Sequence, residues 1–324
     1  MIPAHLVITF LKIISLYSFI FKDTLLPPGW KQSLPSADHQ WISKALFKVS
    51  KKGKPEMDWD RVDRLWWYPP QPSLVCSQSP NPGRYFAQRL LLWMPKKLWR
   101  LRIKCPFCEK RDLTSAGLYS RVRQVLDIDG YYNLASEYLE CAGCKKKVIS
   151  WSGAITKQLD VGHRLQFPVL LTYRYACDIR VIRMLRQRGL GNSATQLQRK
   201  LKEQHSETWL QRAAHCLTDC QAFLTENAIG LVIKPSFEEP PPLIPVPTYK
   251  WLLTVYCSDV LLRLDEVKAA ITSTFGTILK MDSTKKVMIF EAIPNKDHTV
   301  HSVLSLKQFE ACIHRIQRCR LLKR

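Results

Sequence analysis

Two C-x-x-C pairs constrain the fold of this chain more than any other feature. They are Cys105-Pro106-Phe107-Cys108 and Cys141-Ala142-Gly143-Cys144, and 32 residues separate them. Each pair places two thiolates on one tight turn, and a zinc ion is held by four such ligands at the corners of a tetrahedron. The separation is long for a four-cysteine site, but an inserted hairpin accounts for it. We therefore predict a four-cysteine zinc ribbon, built from β-strands, over residues 98–160.

The predicted zinc would be structural. Four cysteines leave no open coordination position for a substrate or a catalytic water, so the ion would act as a cross-link of the fold. Gly143 is expected to relax the backbone of the second turn. The alternative is a pair of redox-active motifs, as in thioredoxin-like proteins, but no βαβ pattern surrounds these cysteines.

The chain is strongly basic, with 49 Lys and Arg against 27 Asp and Glu and a formal charge of +22. Such an excess favours polyanionic partners, nucleic acid first; a solvated surface or weak attraction to membranes would also account for it. Basic residues concentrate in residues 95–124 and 161–212. We predict DNA, or RNA, as the partner and no membrane; the sequence identifies no protein partner. The predicted nucleic-acid-binding residues are Lys104, Lys110, Arg111, Lys145, Lys146, Lys147, Arg180, Arg183, Arg186, Arg199 and Lys202.

The eleven cysteines are an odd number, and four of them have metal-binding spacing, which favours a reducing compartment.

The apolar stretch Leu6–Ile20 is similar to a signal-peptide core, but it contains Lys12 and lacks both a basic leader and a small-residue cleavage site. We expect residues 1–26 to form a buried helix or to result from an incorrect gene start.

Composition and residue pattern predict the structure before the first cysteine pair and between the two pairs. Residues 27–97 are rich in Trp and Pro and are expected to be extended, with Trp66-Trp67-Tyr68 as a hydrophobic anchor or a stacking surface for bases. Leu98–Lys104 is predicted to lead into the first pair as a strand. Arg121–Ile128 and Tyr131–Leu139 are predicted to form a hairpin whose Asp129-Gly130 turn tolerates positive φ.

Residues 161–230 have a helical period and predict three helices. The first would carry Leu170, Tyr173, Cys177, Val181 and Met184 on one face and stop at Gly189-Leu190-Gly191. The second would be capped by Asn192 or Ser193 and the third by Ser206.

The helices around Gly189–Ser206 are similar to a helix-turn-helix unit, in which the second helix would enter a major groove. The side chains able to read base edges there are Gln196, Gln198, Arg199, Lys202 and Gln204. Cys216 and Cys220, with His215 nearby, could bind a metal, but their match to the apolar period favours core packing.

Six prolines between residues 235 and 247 predict a semi-rigid linker within 231–248. Tyr249–Ser258 and Thr277–Met281 are predicted to be strands. An apolar strand that ends in Asp282 is also how two-metal nucleases place a first carboxylate beside Mg²⁺, although a lone Asp at a strand end is usually a turn residue.

Several of these segments together resemble an uncharacterised domain of proteins derived from DNA transposons, over about residues 27–223. The resemblance rests on the run from Cys105 through Tyr131-Tyr132, Tyr138-Leu139-Glu140-Cys141, Phe167-Pro168, Leu171-Thr172-Tyr173, Ala176-Cys177-Asp178 and Gly191-Asn192-Ser193. In such proteins a ribonuclease-H-like transposase core follows, and Lys250–Lys286 is similar to its opening part. Asp282 would then be the first acid of an Asp-Asp-Glu triad.

Only 42 residues follow Asp282, too few to supply the second and third carboxylates of that core. One carboxylate cannot hold two metal ions, so the resemblance implies a truncated core with a vestigial Asp282, an unrelated tail over residues 291–324, and no enzyme activity.

The predicted fold class is therefore α+β. A four-cysteine zinc ribbon would be followed by a helix-turn-helix-like region at 161–230, the linker at 231–248, and a fragment of an α/β ribonuclease-H-like domain at 249–290. The function expected is that of a transposase-derived, zinc-dependent, nuclear nucleic-acid-binding protein. The alternatives are a protein-interaction scaffold with a structural zinc, and a non-functional fragment of a mobile element.

Overall fold

The computed structural model describes residues 24–51, 53–72, 79–186, 193–226 and 237–264, together with the backbone of three strands between residues 278 and 304. The predicted N-terminal apolar segment, Leu6–Ile20, lies outside the described residues. The chain forms two compact units. The first comprises residues up to 125, 131–167 and 208–242, and the second comprises 126–130, 168–207 and the residues from 243 onward.

Helices open the first unit, so the predicted extended character of residues 27–97 is wrong there. Helix α1 spans Pro28–Ser33 and α2 spans Ser36–Leu46, preceded by Pro35. Proline has no N–H to donate, but the first N–H groups of a helix have no partner in any case, so proline is well placed where a helix begins. Helices α3 (Gly83–Phe86) and α4 (Pro95–Trp99) also begin at or just after a proline.

A mixed sheet with the order β3-β4-β7-β6 forms the centre of the first unit. Its strands are β3 (Trp66–Trp67), β4 (Leu90–Trp93), β6 (Arg123–Leu126) and β7 (Tyr131–Cys141). Strand β4 pairs in parallel with β7 and antiparallel with β3. All four of its residues are buried, as expected of an apolar central strand covered on both faces.

Helices α1 and α2 pack against this sheet. Trp30, Ile42 and Leu46 are fully buried in one cluster with Leu90 and Leu92 of β4. Burying each such side chain contributes about 1.5–3 kcal/mol relative to exposure. A short hairpin of β1 (Phe47–Val49) and β2 (Pro55–Met57) follows α2 and adds to the same core.

Strand β7 also belongs to a second, antiparallel sheet. We refer to this sheet, together with the two cysteine turns, as the ribbon. The first half of β7 pairs with β4, and its second half pairs antiparallel with β5 (Leu113–Leu118) and β8 (Lys147–Ile149). One continuous strand therefore runs from the buried sheet to Cys141. The predicted β structure of this region is confirmed.

The predicted hairpin before Cys141 is confirmed, because β6 and β7 are neighbours and the Asp127 N–H donates to the Gly130 carbonyl at 2.8 Å. Gly130 does not have a positive φ, so its special tolerance is not used. The predicted strand at Leu98–Lys104 is wrong, since α4 occupies its start and only an isolated bridge joins Lys104 to Asp112.

Two short helices follow the ribbon, α5 (Gly153–Thr156) and α6 (Val161–Leu165). In the second unit, β9 (Val169–Leu171) and β10 (Ala176–Asp178) form a hairpin before α7 (Ile179–Arg186). The helix predicted to begin near Leu170 is therefore wrong in its first half. Thr172 explains this, because its N–H and its hydroxyl both donate to the Tyr175 carbonyl, and local bonds of this kind compete with a helix.

A single 33-residue helix, α8 (Ala194–Glu226), replaces the predicted second and third helices. Ser206 lies inside it, because strong helix formers continue past that position. Ser193 is confirmed as a cap, since its hydroxyl accepts the Gln196 N–H at 3.2 Å. Residues 187–192, where the turn of a helix-turn-helix unit was predicted, lie outside the described residues.

The second half of α8 belongs to the first unit. Cys216 and Cys220 are buried there with Ala213, Tyr85 and Phe86, which confirms the core-packing interpretation of these two cysteines. The Tyr85 hydroxyl donates to Asp219 at 2.6 Å and orients this contact.

Residues 237–248, the described part of the predicted linker, contain neither helix nor strand.

Helix α9 (Tyr249–Leu262) occupies the position of a predicted strand, so that prediction is wrong. A short apolar run does not distinguish a strand from a buried helix, and here Leu252, Val255 and Asp259 are buried at helical spacing. The predicted strand at Thr277–Met281 is confirmed.

That strand is the first of an antiparallel three-stranded sheet of β11 (Ile278–Thr284), β12 (Val287–Ile293) and β13 (Val300–Leu304). The whole architecture is mixed α+β. Within the described ranges, the helices are all too short or too polar to cross a lipid bilayer.

Candidate metal centre

The two C-x-x-C turns have the same backbone conformation. The Cys105 carbonyl accepts the N–H of Glu109, and the Cys141 carbonyl accepts the N–H of Lys145, both at 2.9 Å. Glu109 and Lys145 have φ values of 54° and 56°, in the left-handed region that costs a non-glycine residue about 1 kcal/mol. The same unfavourable conformation at the same position of both turns indicates a shape that the four sulfurs require.

The four sulfur atoms converge. Every pair of them lies within 4.8 Å, and the Sγ atoms of Cys105 and Cys144, like those of Cys108 and Cys141, are 3.6 Å apart. Thiolates about 2.3 Å from a tetrahedral zinc would lie about 3.8 Å from one another. No disulfide joins these cysteines. The predicted four-cysteine cluster is confirmed, and its size fits a metal ion.

Backbone amides stabilise charge at some of these sulfurs. The N–H groups of Cys144 and Gly143 donate to the Cys141 thiol and, against the effect of burial, lower its pKa to about 6. The Lys146 N–H likewise acts to lower the pKa of Cys144, but burial and the neighbouring sulfurs, including that of Cys105, raise it to about 11. Four thiolates therefore repel one another in the absence of a cation, and a bound metal ion would remove this repulsion.

Gly143 has a different role from the one predicted. Its φ is not positive, and the left-handed residue of the turn is Lys145. A Cβ at position 143 would lie 3.2 Å from Cδ of Arg111. Gly143 thus provides space for the Arg111 side chain to cross the second turn.

Gln158 connects the first turn to helix α5. Its amide oxygen accepts the Lys104 N–H at 2.9 Å, and its amide nitrogen donates to the carbonyl oxygens of Lys104 and Ala154 at 3.1 Å. These bonds hold the segment before Cys105 in place, where no strand does so. No sequence signal indicates this contact, because an exposed Gln in the turn after a short helix has many possible partners.

The predicted basic residues of the ribbon surround the two turns and are exposed: Lys104, Lys110, Arg111, Lys145, Lys146 and Lys147. Lys147 lies 3.6 Å from Glu140, and the other five form no ion pair with a described residue. We refer to these six residues as the ribbon cations.

Two arginines of α7 have a different environment. Arg180 contacts both carboxylate oxygens of Asp127, at 2.7 and 2.6 Å, and Asp178 at 3.2 Å. Arg186 forms a two-point pair with Asp259 at 2.8 and 3.0 Å. These carboxylates occupy the Nε and Nη2 donors of both guanidinium groups, which leaves fewer donors for phosphate. Arg183, Arg199 and Lys202 are exposed, as a nucleic-acid contact requires.

Sequence reasoning missed Phe107, which lies between the ligands of the first turn. Its side chain is 54% exposed, and the Lys146 ammonium lies 4.6 Å from the centre of its ring. The sequence feature that could have indicated it is a large apolar residue inside a C-x-x-C turn, where the turn itself requires no apolar side chain. By contrast, Trp66 packs against Tyr132 and under Arg89, and the Trp67 indole donates to the Arg64 carbonyl, so both contribute to the fold.

Asp282 lies in β11 in register with Ile289, and its side chain is outside the described part of the structure. Among residues whose side chains are described, the four cysteines are the one group of three or more potential metal ligands that converge. The assignment of Asp282 as a single vestigial carboxylate therefore stays a prediction.

Comparison with known proteins gives one match. Residues 30–261, most of the chain, match the domain of unknown function DUF6729. No curated protein and no solved structure matches. The expectation of an uncharacterised domain over this part of the chain is confirmed, and its link to DNA transposons stays a prediction. The chain thus belongs to the DUF6729 family.

Proposed function

We propose that this protein binds nucleic acid through a basic surface that a structural zinc ion holds together. The observation that carries the proposal is the position of the six ribbon cations, which all lie on or beside the two metal-ligand turns and are exposed. The acidic residues among them are few, namely Glu109, Asp112 and Glu140. A local positive excess of this kind attracts phosphates and releases their counterions.

Zinc is the metal that the donor set supports best. Four cysteines form a closed, soft ligand set, typical of structural zinc, and the separations between the sulfurs fit its tetrahedron. When bound, zinc would cross-link the two turns and supply no reactive position. The residues of the chain then do the binding: the turns fix the backbone, and Lys104, Lys110 and Lys145 present charge to the solvent.

The test uses the full chain, expressed with zinc supplied. We expect binding to labelled DNA at about 50 mM salt and a steep loss of affinity as salt rises. The triple variant Lys145→Ala, Lys146→Ala, Lys147→Ala should weaken binding and reduce the salt-dependence slope by about 2 to 3, since each phosphate contact contributes about 0.7–0.9.

The matched control removes the same charge elsewhere in the first unit, through Lys44→Ala, Lys51→Ala and Lys54→Ala, three exposed lysines of α2 and the β1–β2 connection. Its slope should change much less than that of the ribbon variant. Equal slopes for the two variants would show that net charge, and not the ribbon, governs binding. A wild-type chain that binds neither DNA nor RNA at low salt would refute the proposal.

We also propose that the chain is transposase-derived, nuclear and catalytically incomplete. The resemblance of residues 250–286 to the opening of a ribonuclease-H-like core supports this, and it supplies one acid, Asp282. The purified chain should not cleave DNA with Mg²⁺. Cleavage that is lost on Asp282→Ala would contradict the catalytic part of this proposal.

A further inference from the structure

Phe107 is a large apolar side chain on the first cysteine turn, between the exposed ribbon cations Lys104 and Lys110 in the chain. It is 54% exposed, while the cysteine that precedes it in the chain by two positions, Cys105, is fully buried. A lone exposed aromatic ring is common in proteins. The position of this one is unusual because both neighbouring ligand cysteines hold its backbone in a fixed turn.

A second observation concerns the face of the ring. The ammonium group of Lys146, from the other cysteine turn, lies 4.6 Å from the ring centre. This cation–π contact orients the ring and joins it to the charged surface. A ring held from both turns loses little conformational freedom on binding, which favours a stacking role.

From this geometry we infer that Phe107 stacks on an unpaired base, so that the ribbon prefers single-stranded to double-stranded nucleic acid. The inference rests on the proposed function and specifies its ligand. The ribbon cations follow the phosphates of a strand and the ring receives one base, which is the combination used by single-strand-binding surfaces. In a duplex both faces of each base are already stacked on neighbours, so a lone ring has no partner there.

The experiment compares two probes on the full, zinc-loaded chain: a labelled oligothymidylate of about 15 nucleotides and a duplex of equal length. Phe107→Ala should weaken single-strand binding about tenfold and leave duplex binding within about twofold. Phe107→Tyr, which keeps an aromatic ring, should restore most of the affinity. An oligouridylate probe distinguishes RNA from DNA as the preferred strand, and either preference supports the inference.

Tyr68→Ala is the matched control. Tyr68 is 63% exposed in the same unit, and it belongs to the run Trp66-Trp67-Tyr68 predicted to be a hydrophobic anchor or a stacking surface. Its loss should leave both affinities unchanged. A larger effect of Tyr68→Ala than of Phe107→Ala would place the stacking surface elsewhere and overturn the inference.

A second measurement needs no variant. Irradiation of the wild-type chain with a 5-iodouridine single strand should give a cross-link that peptide mass spectrometry locates at Phe107. Cross-links confined to other residues would count against stacking, even if Phe107→Ala fails to fold.

The outcomes also separate this inference from the proposed function. If the wild-type chain binds both probes and loses affinity on lysine substitution but not on Phe107→Ala, only the inference fails. If it binds neither probe, both fail. Binding to phosphatidylserine vesicles that requires Phe107, without single-strand binding, would instead assign the surface to membranes and overturn the inference.

Discussion

The ribbon cations and the arginines of α7 are the same kinds of side chain in two different environments. Around the cysteine turns, Lys104, Lys110 and Lys145 point into solvent and meet no described carboxylate. On α7, Arg186 reaches Asp259, which is only 3% exposed, and Arg180 reaches Asp127 and Asp178. A cation paired with a buried carboxylate compensates that carboxylate's lost hydration, whereas a cation away from one remains available to a partner.

This contrast teaches that a basic cluster in a sequence can have either role. Residues 95–124 hold nine Lys and Arg against two acids, and residues 161–212 hold ten against three. The first cluster includes exposed cations beside the cysteine turns, whereas part of the second forms internal ion pairs.

Cys141→Ser should remove the metal and unfold the ribbon. Cys141 is fully buried at the end of β7, and binding of a structural metal ion is coupled directly to folding. We expect loss of bound zinc and destabilisation by more than about 3 kcal/mol. Metal analysis and thermal unfolding measure both effects. Cys257→Ser, in α9, should retain the zinc; a Cys141→Ser chain that also retains one zinc per molecule would disprove the assignment.

Arg186→Ala should destabilise the chain by about 2–3 kcal/mol, because it removes the two-point partner of a buried carboxylate. Arg263, 3.4 Å from Asp259, limits the loss. Urea unfolding gives the free energy. Arg183→Ala, an exposed neighbour on the same helix, should change it by less than about 0.5 kcal/mol. Equal effects of the two substitutions would remove the distinction between paired and exposed arginines.

The stability of the region around Asp127, which pairs with Arg180, should also depend on pH through His205. Its ring lies 3.0 Å from the Asp127 carbonyl, and burial lowers the pKa of the imidazole below its ordinary value of about 6.5. The unfolded chain therefore binds a proton more readily than the folded chain. The contribution of the neutral imidazole to stability is therefore present above about pH 6.5 and is lost progressively as the pH falls from there toward the lowered pKa of the folded state.

The measurement is the unfolding free energy at pH 7.5 and 5.5. His205→Gln, which keeps an N–H donor but does not titrate in this range, should reduce the loss between the two pH values. An unchanged pH dependence in that variant would show that other groups are responsible.

Lys147→Ala should have the smallest effect on stability. Its ion pair with Glu140 is exposed and 3.6 Å long, and such pairs contribute at most about 1 kcal/mol. We expect a change in the unfolding free energy below about 0.5 kcal/mol together with a measurable loss of nucleic-acid affinity. The opposite result, lower stability with unchanged affinity, would move Lys147 from the binding surface to the fold.

The four-cysteine cluster was predictable because the information is local. Each turn needs two cysteines three positions apart, and the hairpin between the turns has its own turn and strand signals. The predicted strand Tyr131–Leu139 and the cap at Ser193 are local in the same way, and the structure confirms both. Leu170–Cys177 and Tyr249–Ser258 were mispredicted because short apolar runs fit both a strand and a helix face until neighbouring elements fix the choice.

The four-cysteine cluster, the β structure around it and the excess of positive charge follow from the amino-acid sequence alone. The tertiary structure selects which cations remain exposed, since Arg180 meets Asp127 across 53 residues and Arg186 meets Asp259 across 73. It also brought Lys146 over Phe107, which lie in different turns. Ligand spacing is fixed within a few bonds of the backbone, whereas the partner of a long charged side chain depends on packing between segments far apart in the chain.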